Sequence, residues 1–126
     1  MAYIHYNPNP SKSTVGDCVI RGIVKILGSD WTSVYWGLAL QGSVLHDMPS
    51  SNRTWGTYLR NNGFNRYVIP NTCPDCYSVE DFCRDHPRGT YLLATGTHVI
   101  AVKDGNYYDT WDSGDEVPIY YWRKER

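Results

Sequence analysis

Three side chains in this sequence could together do nucleophilic chemistry: the thiol of Cys18, the imidazole of His98 and the carboxylate of Asp109. A thiol attacks well once a base has taken its proton, and the base works best when a third group fixes its tautomer and orientation. Cysteine, histidine and acid in that order fit an activated-cysteine hydrolase. They stand far apart along the chain, so only folding could join them. Taken singly, Cys18 reads more readily as a buried inert thiol, and His98 as a core or surface histidine with a backbone partner.

The elements that must position these groups are legible. Asp17 is a natural N-cap, which places Cys18 at the first position of a helix with apolar residues at 19, 20, 23, 24, 26 and 27 and a stop at Gly28. Unpaired N–H groups at a helix start stabilise a thiolate and can donate to an oxyanion. Asp17 opposes the first effect, and Arg21, one turn on, can pair with it. Ser29-Asp30 opens a second helix carrying Trp31, Val34, Leu38 and Leu45, and Ser50-Ser51 a third with Trp55, Tyr58 and Leu59, ending at Gly63.

From Arg66 on, strands dominate. They are expected at 66–69, 91–94, 98–103, 107–111 and 117–122, with a short helix over 78–86 stopped by Pro87. Asp104-Gly105 predicts a type I′ hairpin, because that turn needs positive φ. With that turn His98 faces Trp111, and Asp109 lies one diagonal step away on the same sheet face. A longer loop would instead set Asp112 opposite His98, which makes Asp112 the reserve orienting acid. Helices first and an antiparallel sheet after them predict one α+β domain over residues 1–126.

Composition limits the functions. Lys and Arg total 12 against 13 Asp and Glu, so there is no basic excess for binding a nucleic-acid backbone. The chain holds 11 Tyr and 5 Trp against 2 Phe, a bias toward rings with a polar tip that suit wet clefts and protein-facing surfaces. No charged-then-apolar leader and no apolar run near the roughly 20 residues of a bilayer span are present, so a cytoplasmic setting is expected. In that reducing setting four cysteines read as thiols, ligands or nucleophiles rather than disulfides. Asp112 to Glu116 forms a small acidic loop, a solvated turn around Gly114 or a weak preference for basic substrates.

The motifs together resemble the papain-like cysteine peptidases: Gly16-Asp17-Cys18 opening a helix, Thr97-His98-Val99-Ile100-Ala101-Val102 opening a strand, then Asp109-Thr110-Trp111. With Asn9-Pro10 and Tyr108 to Ser113, the set is similar to small papain-like proteins of bacteria and their phages. The resemblance implies a nucleophile helix packed on the sheet, a Trp shielding the histidine–acid contact, and hydrolysis of a peptide or isopeptide bond through a thioester, with no cofactor required. The family's oxyanion Gln six positions before the cysteine is Lys12 here; Asn9 is the substitute amide, or else an Asn-Pro turn residue. The helix start also resembles ovarian-tumour-type deubiquitinases, with Val15 where those carry Asp. Two other functions share these residues: an acyltransferase of the transglutaminase kind, and a binding protein on a retired protease scaffold. The expected partner is a protein or peptide, not nucleic acid or membrane.

Cys73, Cys76, Cys83 and His86 form a C-x2-C-x6-C-x2-H set able to hold a structural zinc. The short linker makes that geometry tight. Capping of the 78–86 helix by Ser78, with Asp81 at its third position, explains the same segment without metal.

Overall fold

In the computed structural model, which describes residues 2–125, the chain forms four helices and a six-stranded mixed sheet, an α+β arrangement. The elements are β1 (Ala2–His5), α1 (Cys18–Leu27), α2 (Trp31–Leu45), α3 (Asn52–Asn61), β2 (Phe64–Val68), α4 (Val79–Asp85), β3 (Thr90–Ala94), β4 (Val99–Lys103), β5 (Asn106–Asp109) and β6 (Tyr120–Lys124). Among the described residues no helix is long and apolar enough to cross a membrane.

Local capping sets three helix starts. The Asp30 carboxylate accepts from the Ser33 N–H, Ser51 from Thr54, and Ser78 and Asp81 form a reciprocal capping box. α1 differs: Asp17 occupies the N-cap position, but its side chain caps nothing. Gly28, at φ 65°, ends α1 with left-handed backbone that a side chain would strain.

The strand order is β1-β5-β4-β3-β6-β2. The β4–β5 hairpin turns on Asp104 and Gly105, both at positive φ (51° and 80°), and pairs Ala101 with Tyr108 and Val102 with Tyr107, the register expected from a two-residue turn. Two expectations need correction. The sheet is not purely antiparallel, because β1, unforeseen in the sequence, pairs parallel to β5. Its four residues, largely exposed, carry no apolar alternation; the open edge of β5 makes them a strand. The strands expected at 66–69 and 117–122 form instead at Phe64–Val68 and Tyr120–Lys124, shifted by their pairing with each other.

Both faces of the central strands are covered. Leu92, Ala94, Val99 and Ala101 pack under α1, α2 and α3 with Ile23, Val34, Leu38, Trp55 and Leu59. Leu93, Ile100 and Val102 pack with Val79, Phe82 and Cys83 of α4. Buried on both sides, β3 and β4 are near-continuous apolar runs. Gly22 lets α1 lie close to the sheet, since a Cβ there would stand 2.5 Å from Leu92 Cδ1. That contact holds the helix start beside the entrance to β4.

Candidate active site

The structure brings Cys18, His98 and Asp109 together. His98 stands in the turn between β3 and β4, where Thr95 Oγ1 accepts the His98 N–H at 2.9 Å and the Thr95 N–H donates to the His98 carbonyl at 2.8 Å. Its Nε2 lies 2.6 Å from Asp109 Oδ2. The imidazole and the Cys18 thiol each shift the other's protonation, and Nδ1 is the ring nitrogen that Asp109 leaves free. Trp111 stacks on the imidazole with centroids 5.2 Å apart, covering one face.

Asp109 is 2 % exposed, and every side of its carboxylate is used. Oδ2 accepts from His98 and from Ser113 Oγ at 2.8 Å; Oδ1 accepts from the Thr110 N–H at 2.8 Å and from Arg21 at 3.3 Å. Its backbone is held as firmly. β1 pairs His5 with Asp109, and the Asp109 carbonyl accepts from the Tyr6 N–H at 2.8 Å and the Tyr3 hydroxyl at 3.2 Å.

Arg21 links the two ends of the site. Its guanidinium, almost wholly buried, pairs with Asp17 on its own helix and with Asp109 on β5. Asp17 also accepts from Trp31 Nε1 at 2.8 Å, so both its oxygens are turned away from the helix N–H groups. The N–H groups of Cys18, Val19 and Ile20 therefore carry no side-chain cap.

The electrostatics follow from these contacts. Burial is the largest influence on the Cys18 thiol and pushes its pKa up. The hydrogen bond and charge of His98, the Val99 N–H and the Arg21 charge together outweigh it, so the thiol lies below its ordinary value. Burial opposes a charged His98, yet Asp109 and Cys18 raise its pKa to about 9. Burial likewise pushes Asp109 up, and the bonds from His98 and Ser113 bring it net below the usual carboxylate range. A low thiol beside a high imidazole is the condition for a thiolate–imidazolium pair near neutral pH.

The other sequence candidates lie elsewhere. Asp112 accepts from the Tyr107 hydroxyl at 2.5 Å and the Gly114 N–H at 3.1 Å, which ties it to the 112–114 turn and leaves His98 to Asp109. Asn9 is buried with its Oδ1 accepting the Ser11 N–H at 2.9 Å, the Asx-turn geometry of an Asn-Pro loop. The four zinc candidates do not converge. Cys73 and Cys76 are joined in a disulfide, which also corrects the reading of four thiols; Cys83 is buried in the α4 core; His86 Nδ1 lies 2.8 Å from the Phe82 carbonyl. No group of three or more metal-ligating side chains occurs among the described residues.

Sequence reasoning missed Ser113 as a donor to Asp109, the reach of Arg21 to β5, and the Trp31–Asp17 bond. Only the Asp17–Arg21 spacing carried a local signal. No known protein family, curated protein or solved structure matches the chain.

Proposed function

We propose that this protein is a papain-like cysteine hydrolase of peptide or isopeptide bonds, acting on a protein or peptide. One observation carries the reading. A thiol at a helix start is electrostatically coupled to a histidine that a fully satisfied buried carboxylate holds at 2.6 Å, and the three come from separate parts of the chain. Such coupling serves chemistry better than packing, for which an apolar residue at position 18 would do.

In this reading His98 takes the Cys18 proton, and Asp109 holds Nε2–H so that Nδ1 faces the sulfur. The thiolate attacks a carbonyl carbon, forming a C–S bond and an oxyanion. The uncapped N–H groups at the start of α1 are placed to stabilise that charge, a part that the turn-bound Asn9 need not play. His98 returns its proton to the departing amine as the C–N bond breaks. Water, deprotonated by the same imidazole, then cleaves the thioester and regenerates the thiol.

Limiting iodoacetamide at about pH 6, with the labelled residue identified by peptide mass, tests this directly. Cys18 should alkylate about a hundredfold faster than a free cysteine, and His98→Ala should abolish the advantage. Cys83 is an internal control, since burial pushes its thiol up to about 11. A Cys18 no faster than a free thiol would leave a binding protein on a silent scaffold.

A further inference from the structure

Beside the cavity that His98 lines, a second opens across α3, β2 and β6. The first, about 240 Å³, is walled by His98, Thr95, Thr97 and Trp55 and shares Asn52 and Tyr120 with its neighbour. The second, about 280 Å³, is lined by Arg53, Arg60 and Arg66 over Tyr120 and Trp122, and no carboxylate lines it. Three guanidinium groups gathered in one hollow are not a consequence of overall charge, because the chain carries a formal net charge of −1.

The arginines are held and largely unspent. The Arg60 guanidinium carbon lies 5.0 Å from the centre of the Trp122 ring, and that of Arg66 4.1 Å from the Tyr120 ring. Neither pairs with a carboxylate among the described residues; Arg53, whose Nη1 donates to the Leu45 carbonyl at 3.3 Å and lies 3.8 Å from Asp47, is partly engaged at the rim. Stacking on an aromatic face fixes the plane of a guanidinium and leaves its N–H edge free. Two such edges in one hollow match the paired oxygens of carboxylates.

We propose that the Arg53–Arg60–Arg66 pocket binds an acidic segment of the polypeptide substrate on the leaving-group side of the scissile bond. Binding of an acidic peptide follows from the pocket alone. Its assignment to the leaving-group side rests on the hydrolase reading, in which His98 protonates the departing amine and the cavity beyond His98 receives that half of the substrate. A stretch of nucleic acid would need a longer basic track than three arginines in a chain with no basic excess.

The test uses the full chain as Cys18→Ala, so that nothing is turned over, with fluorescein-labelled oligoglutamate as the probe and anisotropy as the readout. Oligoglutamate should bind, weaken steeply with added salt, and bind about tenfold more weakly to Arg60→Gln/Arg66→Gln. Because those side chains also cover aromatic rings, Thr57→Glu provides a second variant. It sets a carboxylate one turn from both Arg53 and Arg60, fills the site from within and should weaken the probe as much while leaving the melting temperature unchanged. Equal binding by all variants, no binding at all, or tighter binding of a single-stranded oligonucleotide of equal charge would overturn the proposal. The two readings fail separately: slow Cys18 alkylation with intact probe binding removes the hydrolase and keeps the acidic-peptide site, whereas fast alkylation without probe binding does the reverse.

Discussion

The molecule contains two cysteine–histidine regions, one on each side of its sheet. Cys83 and His86 are neighbours in sequence, on and just after α4, joined by the His86 N–H donating to the Cys83 carbonyl but not through their side chains. Cys83 is packed among Val79, Phe82 and Tyr107, while His86 bonds the Phe82 carbonyl and stacks against Phe82 with centroids 3.8 Å apart. Cys18 and His98 come from opposite halves of the chain, yet each shifts the other's protonation. Burial raises both thiols; only Cys18 has a histidine, a backbone N–H and an arginine to reverse the effect. Partners, rather than helix position or proximity in sequence, decide whether a cysteine is activated.

The strongest way to break this contrast is to remove Arg21, which the Cys83 region has no counterpart for. Arg21→Ala leaves Asp17 and Asp109 buried without their shared cation and should cost about 3–5 kcal/mol in chemical denaturation. It should also move the alkylation profile of Cys18 to higher pH, with Arg21→Lys restoring part of both. Unchanged stability together with an unchanged profile would reduce the buried triangle to a bystander.

A smaller effect separates the two thiols. Cys83→Val, a near-volume-conserving change in an apolar site, should alter stability by less than about 1.5 kcal/mol and leave Cys18 alkylation as it was. If it slowed Cys18, the two faces of the sheet would be coupled and the comparison would collapse.

The smallest effect is a pH dependence with a definite sign. His98 is raised from 6.5 to about 9, so its contribution to stability is complete below 6.5 and lost as pH rises through about 9. Asp109 is lowered from 3.8, so its contribution is complete above that value and lost as pH falls through its folded pKa. Melting temperature should therefore decline on the alkaline side near pH 9, and Asp109→Asn should flatten that decline. A wild-type decline that survives in Asp109→Asn would assign it to other groups.

Much was legible because it is local. Ser51 and Ser78 cap their helices within three residues, and Asp104-Gly105 fixes a turn whose register alone sets His98 against Trp111 and Asp109 within reach. The zinc pattern was equally visible, but spacing states only that four ligands could meet, and a disulfide between Cys73 and Cys76 takes two of them.

By itself, then, the sequence determined the α+β class, the helix starts and the hairpin that pairs an imidazole with an acid, since caps, turns and side-chain periodicity act over a few residues. Tertiary structure alone decided that β1 would close the sheet beside β5, that Arg21 would span from helix to strand, and that three arginines from α3 and β2 would share one hollow. Those contacts join distant segments, and their free energy exists only after every intervening element has chosen its place.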